Sequence, residues 1–181
     1  MRRYLLLLIG SVVTIAFDQI TKIWAVNALV VPNGDLPEDA HRIRSEVYSV
    51  TESWWNFKVA GNKGAAWGLF RDLPEGWRVA FFVLIGLVAI AFIIALYRRA
   101  RGHQPLSTAL TLILGGAIGN LIDRVRLGYV IDFIDWYYAP SNWHWPTFNI
   151  ADVAISVGVG LLLIDMILHR GERAEKAPAS T

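Results

Sequence analysis

The chain has no cysteine among its 181 residues. A cysteine nucleophile, a thiolate metal site and a disulfide framework are therefore excluded. Two other hydrolytic signatures are also missing, the His-Glu-x-x-His zinc motif and the Gly-x-Ser-x-Gly nucleophile elbow. A net charge of +2 is too small to indicate a nucleic-acid partner. Any catalysis by this chain has to be sought elsewhere, and its carboxylates are the first candidates.

Hydrophobic residues make up 55% of the chain, against about 45–50% in a typical soluble domain. They are concentrated in four long runs, at residues 4–24, 77–97, 105–122 and 149–168. Because a helix rises 1.5 Å per residue, about 20 residues cross a hydrocarbon core of about 30 Å. The sequence therefore predicts an all-α membrane protein, a bundle of four transmembrane helices that forms a single membrane domain.

The short flanks of these spans predict their orientation. Basic residues cluster at Arg2 and Arg3, at Arg98, Arg99 and Arg101, and at Arg170, Arg173 and Lys176. With four spans, all three clusters fall on one side, which the positive-inside rule makes cytoplasmic. Both termini and the tail 170–181 are then cytoplasmic, and segments 27–76 and 124–148 lie outside. We expect the first span to be retained, because it contains Asp18 and Lys22 and no signal-peptide cleavage site follows it.

Both outer segments are rich in aromatic residues, which settle at membrane–water interfaces. The aromatic residues are Trp54, Trp55, Phe57, Trp67 and Phe70 in the first segment, and Trp136, Tyr137, Tyr138, Trp143, Trp145 and Phe148 in the second. We expect both segments to rest on the outer membrane surface. Residues 46–70 alternate enough to form short strands, with glycines at turns or bulges. The sequence thus predicts a small extracytoplasmic β-sheet cradle between spans one and two.

Carboxylates inside or beside membrane spans are costly, and they are the first functional candidates. Span three closes on Asn120-Leu121-Ile122-Asp123, and span four opens on Asn149-Ile150-Ala151-Asp152. Each segment places an asparagine and an aspartate on one helical face. Between them, Asp132 stands alone in an apolar stretch. Three acids are therefore predicted to converge near one membrane depth.

Each of these acids except Asp132 has a ready structural explanation. Asn149 and Asp152 can cap the start of a helix. Asp123 adjoins Arg124 and can form an ion pair, and Asp18 and Lys22 have the i, i+4 spacing of a helix pair. Asp132 has no basic residue within three positions. Two other acids are set apart: Asp135 is expected to be solvated near the aromatic surface, and Asp165 lies at the inner end of span four.

Two facing carboxylates can share one proton. One then activates a water molecule as a base, while the other, protonated, polarises a carbonyl group. That is amide hydrolysis without a metal or a covalent nucleophile. The same acids can also serve as a proton relay in a transporter or channel. The residues alone leave peptidase and transporter open.

The pattern of these residues resembles one family along nearly the whole chain, the lipoprotein signal peptidases (signal peptidase II), which are intramembrane aspartic peptidases. The matching segments are Asp18-Gln19-x-Thr21-Lys22, Asn62-x-Gly64-Ala65-Ala66-Trp67-Gly68, Gly115-Gly116-Ala117-x-Gly119-Asn120-x-x-Asp123-Arg124, Val130-x-Asp132-Phe133 and Phe148-Asn149-x-Ala151-Asp152. Any one of them is weak, but five in this order on four spans form a specific signal. The first outer segment is longer than is usual in the family, around residues 32–48.

The resemblance implies a role for each residue. Its catalytic dyad falls on Asp132 and Asp152. The implied supporting residues are Asn120, Asp123, Arg124 and Asn149; the implied substrate-binding residues are Asn62, Gly64 and Trp67; and Asp18 and Lys22 are implied to be structural.

The family also implies a substrate and a location. Its members cleave bacterial prolipoproteins just before a cysteine that already carries diacylglycerol. They need no metal or cofactor, and globomycin-type cyclic peptides block them. The resemblance therefore leads us to expect a monomer in the bacterial cytoplasmic (inner) membrane, with membrane lipid around it and its active site near the outer face.

Overall fold

Four helices dominate the computed structural model, which describes residues 2–30, 45–64, 74–100 and 104–168. They are α1 (Arg2–Leu29), α2 (Glu75–Arg99), α3 (Gln104–Leu127) and α4 (Ile150–Leu168). All four are long and apolar enough to cross a membrane, which confirms the predicted fold class. Helix α3 continues past the predicted end of its span at residue 122. The tail 170–181 and most of the long outer loop lie outside the described residues.

Helix α3 is the centre of the bundle. It packs against α1, α2 and α4, and half of its most apolar stretch is buried, against 6% for α2. Small residues permit this packing. A Cβ atom on Gly116 would stand 2.5 Å from the carbonyl oxygen of Ala151 in α4, so only glycine lets the two backbones meet there. The glycine-rich run therefore brings the start of α4 against α3.

A four-stranded antiparallel sheet lies beside one end of the bundle. Its strands are β1 (Tyr48–Thr51), β2 (Trp55–Asn62), β3 (Val130–Tyr138) and β4 (Trp143–His144), in that order across the sheet. The predicted strands between spans one and two are confirmed as β1 and β2. The other two strands come from the segment between α3 and α4. Strand β3 escaped prediction because its residues from Val130 to Asp135 are nearly all buried, which removes the alternation that marks a half-exposed strand.

Strand β3 connects the sheet to the helices. Phe133 and Ile134 of β3 form a buried cluster with Val59 of β2 and with Ala25 and Leu29 at the end of α1. In this register Asp132 pairs with Ala60 of β2. Strand β3 begins just after α3 ends, and it therefore places Asp132 next to the last turn of α3 and the first turn of α4.

Asp135 is buried, and the expectation that it is solvated is wrong. Its side chain is 1% exposed, and its Oδ1 lies 2.7 Å from Lys58 Nζ and 3.1 Å from His144 Nδ1. Asn56 donates to its Oδ2 at 3.4 Å. Burial by itself would raise the pKa of Asp135, but Lys58 and His144 outweigh it and hold that pKa below its usual range. These partners come from β2 and β4, whose pairing with β3 is not visible in the sequence.

Candidate active site

Asp132 and Asp152 meet at a single residue, Asn149. The side-chain Nδ2 of Asn149 donates to Asp132 Oδ1 at 2.6 Å. The backbone N–H of Asn149 donates to Asp152 Oδ2 at 3.1 Å. Asp132 is 1% exposed, and Asp152 is partly buried. The two carboxylates that the family resemblance singles out are therefore brought to one point, from β3 and from the first turn of α4.

The start of α4 is a reciprocal cap. Asn149 immediately precedes the helix, and its Oδ1 accepts the backbone N–H of Asp152 at 3.0 Å, while Asp152 accepts the N–H of Asn149. The structural explanation for these residues is thus correct, and it is compatible with a chemical one. The helix N-terminus also favours negative charge at Asp152.

Two further asparagines complete the shell of hydrogen bonds. Asn120 of α3 donates from Nδ2 to Asp152 Oδ1 at 2.8 Å. Asn62 of β2 donates from Nδ2 to Asp132 Oδ2 at 3.0 Å, and its own Oδ1 accepts the backbone N–H of Gly64. All four carboxylate oxygens of the pair therefore accept an N–H, which holds each side chain in one orientation.

The environment of Asp132 favours a retained proton. Burial, together with the negative charge of Asp152, raises the pKa of Asp132 to about 7. The hydrogen bonds from Asn62 and Asn149 and the charge of Lys22 act in the opposite direction and are outweighed. Near neutral pH the pair can thus hold one proton between its two carboxyl groups.

A buried ion cluster joins α1 to the site. Lys22 Nζ lies 2.9 Å from Asp18 Oδ2, which confirms the helix pair expected from their spacing. It also lies 2.8 Å from Asp123 Oδ2. The partner predicted for Asp123, its neighbour Arg124, is therefore wrong, because adjacent residues on a helix point in different directions and α1 supplies a better-placed cation. Asp123 Oδ2 also accepts the backbone N–H of Ile131, next to Asp132.

Arg124 instead bridges toward the loop that follows β2. Its guanidinium donates to the carbonyl oxygens of Asn120 at 3.4 Å and Gly64 at 3.5 Å. It also lies 5.0 Å from the centre of the Phe82 ring in α2. Arg124 thereby links α2, α3 and the loop that follows β2 around the carboxylate pair.

The site gathers the residues that the sequence singled out, apart from Trp67, which lies outside the described residues. Sequence reasoning missed a link between α1 and α3 that makes no hydrogen bond to the dyad. Gln19 donates to Asp18 Oδ2, Asp123 Oδ1 and the carbonyl oxygen of Gly119. Its position inside the first matching segment was the one available signal. Within the described ranges, no three His, Cys, Asp or Glu side chains are grouped to hold a metal ion.

Comparisons with known proteins agree with this architecture. The sequence model of signal peptidase (SPase) II matches residues 10–168. A lipoprotein signal peptidase of Anaeromyxobacter sp. is 48% identical over 76% of this chain and 65% of its own length. Another, from Syntrophotalea carbinolica, is 42% identical over 88% of this chain and 89% of its own. A bacterial membrane enzyme solved by the in meso method at 2.3 Å superposes with a TM-score of 0.71 at 26% identity, covering 97% of this chain and 93% of that one.

The fold and these relatives define the class, a membrane-spanning peptidase of bacterial type. The chain belongs to the signal peptidase II family, since the family's sequence model covers most of its length. Membership decides between the peptidase and the transporter that the residues alone left open.

Proposed function

We propose that Asp132 and Asp152 are the catalytic dyad with which this signal peptidase II cleaves prolipoproteins, on the N-terminal side of the diacylglyceryl-modified cysteine. The observation that carries the proposal is that Asn149 donates hydrogen bonds to both carboxylates and so holds them together. At this place burial raises the pKa of Asp132 to about 7. Aspartic peptidases use such a pair of carboxylates, which share one proton.

The chemistry follows from the two environments. Asp152, at the positive end of α4, is the ionised base that takes a proton from water as the water oxygen bonds to the scissile carbonyl carbon. Asp132 is the acid that donates a hydrogen bond to the carbonyl oxygen. The C–N bond then breaks, and the leaving amine takes a proton from the dyad. The surrounding asparagines keep the two carboxylates in place throughout.

Substrate recognition is proposed to use the neighbouring outer segment. Asn62 donates to Asp132 and accepts the backbone N–H of Gly64, so these two residues can contact the peptide near the scissile bond. For Trp67, which lies outside the described residues, the proposal rests on the family resemblance alone. A globomycin-type cyclic peptide would compete for this space. The diacylglyceryl group stays in the membrane, and a monomer suffices because a single chain supplies both aspartates.

The site is proposed to lie at the outer face of the inner membrane, with both termini in the cytoplasm. Exposed tryptophans suit the membrane interface beside the site, for example Trp54 in the turn between β1 and β2 and Trp136 on β3. A cysteine replacing exposed Glu52, in the turn between β1 and β2, should react with an impermeant thiol reagent added outside the cell. A cysteine replacing Ser180 should not. The chain has no native cysteine to confuse the readout, and the reverse labelling would contradict the proposed orientation.

The pH dependence of cleavage tests the dyad. Activity requires one proton on the pair, and Asp132, whose pKa is raised to about 7, loses it as the pH rises through that value. We therefore expect kcat/KM for a lipidated precursor to fall on the alkaline side of about pH 7. Purified protein is assayed in one detergent, and thermal melting at each pH checks that it stays folded. A rate that is constant or rising across this interval would count against the proposed acid.

A further inference from the structure

We infer that Lys22, which donates to neither member of the dyad, is a positioning residue that sets the orientation of the Asn120 amide and, through it, the carboxylate of Asp152. The inference rests on the proposed dyad. It goes beyond a purely structural role for Lys22, because it gives the ammonium group a direct consequence for the chemical step.

The ammonium group of Lys22 is held in one place. It is 1% exposed, and it contacts Asp18 Oδ2 at 2.9 Å and Asp123 Oδ2 at 2.8 Å. Its third contact is Asn120 Oδ1 at 3.1 Å. An ammonium has three N–H donors and no acceptor, so all of its hydrogen-bonding capacity is used. The two carboxylates thus aim the remaining N–H at Asn120.

This contact decides which way the amide of Asn120 points. A half-turn of an asparagine side chain exchanges its oxygen and nitrogen. Because the ammonium of Lys22 can only donate, it requires the oxygen of Asn120 on its side, which leaves Nδ2 facing Asp152 Oδ1 at 2.8 Å. The reversed amide would set donor against donor at Lys22 and acceptor against acceptor at Asp152.

A neutral donor supports the same orientation but more weakly. Asn149 Nδ2 also donates to Asn120 Oδ1, at 3.2 Å, and it shares its two hydrogens with Asp132 Oδ1 and the carbonyl oxygen of Ile131. A hydrogen bond from a charged donor is roughly twice as strong as a neutral one. Lys22 is therefore the main determinant, and its charge also lowers the pKa of Asp132 against the effect of burial.

Gln19 provides a matched control. It lies on the same helix and donates to the same two carboxylates, Asp18 and Asp123, and to the carbonyl oxygen of Gly119. It makes no hydrogen bond to the side chain of Asn120. Loosening α1 from α3 through Gln19 therefore leaves the Asn120 amide under the control of Lys22.

The test compares Lys22→Met with Gln19→Leu on a lipidated precursor. We expect Lys22→Met to lower kcat by about 100-fold with little change in KM, the cost of a misplaced catalytic group. The alkaline limb of this variant, which is the fall of kcat/KM with rising pH, should move to higher pH, because losing the cation raises the pKa of Asp132. Gln19→Leu should lower the melting temperature while kcat and the limb stay as in the wild type. Equal losses of kcat in the two variants would overturn the inference.

A double-variant cycle with Asn120→Leu isolates the route of the effect. If Lys22 acts through Asn120, adding Lys22→Met to Asn120→Leu lowers kcat little further. If instead the loss of kcat in the double variant equals the product of the two single losses, the inference is overturned. Should Lys22→Met fail to fold, Lys22→Met with Asp18→Asn removes a carboxylate together with the cation, and it is compared with Asp18→Asn alone. A wrong assignment of the dyad can be distinguished from a wrong role for Lys22, because a wrong dyad would appear as full activity in Asp132→Asn.

Discussion

We expect Asp132→Asn to lower kcat for cleavage of a lipidated precursor by about 10⁴-fold, the upper end of what a positioned acid or base contributes. Asparagine keeps the shape of the side chain but cannot carry the shared proton. Both oxygens of Asp132 accept N–H groups, from Asn149 and Asn62, so the new NH₂ would also face a donor. Asp132 accepts none of the backbone N–H groups at the start of α4, which are taken by Asn149, Asp152 and Asp18, so the helix should still form.

Asp152→Asn should cause a comparable loss, measured on purified protein in the same detergent. The matched control is Asp135→Asn, because Asp135 is a carboxylate on the same strand with the same 1% exposure. Its partners are Lys58 and His144, so the substitution should reduce thermal stability and leave most of the activity. Full activity in either dyad variant, or an equal loss in Asp135→Asn, would contradict the assignment.

Removal of the diacylglyceryl group from the precursor should lower kcat/KM by at least about 100-fold, because acyl burial contributes about 0.8 kcal/mol per CH₂. The proposed dyad lies beside the sheet, where α3 ends and α4 begins. A lipidated cysteine would hold the scissile bond at that level of the membrane. A peptide without acyl chains loses this anchor and its alignment with Asp132 and Asp152. No single side-chain contact is strong enough to restore it.

The measurement uses precursors of identical sequence, with two, one or no acyl chains, in one detergent. A single chain anchors only marginally, so the singly acylated precursor should fall between the other two. Equal kcat/KM for all three would remove lipid anchoring from the mechanism and leave a general intramembrane aspartic peptidase.

Much of the architecture could be predicted from local sequence. The four helices follow from apolar runs of spanning length, which is a property of consecutive residues. The pair of Asp18 and Lys22 and the cap formed by Asn149 and Asp152 follow from spacings of four and three along one helix. Asp132 was recognisable because its neighbours offer no counter-charge. In each case the signal lies in residues close together in the chain: a run of apolar residues, a pair within one helical turn, or the immediate neighbours of Asp132.

Other features were decided only by the tertiary structure. The partner of Asp123 is Lys22, 101 residues earlier in the chain, and the burial of Asp135 depends on the pairing of β3 with β2 and β4. Strand β3, which is buried on both faces from Val130 to Asp135, carries no alternating pattern there to reveal it. These contacts depend on which helix faces and strand registers meet, and that is settled by packing across the whole bundle. The sequence by itself therefore determined the helices and the candidate carboxylates, whereas only the folded chain determined which groups surround each of them.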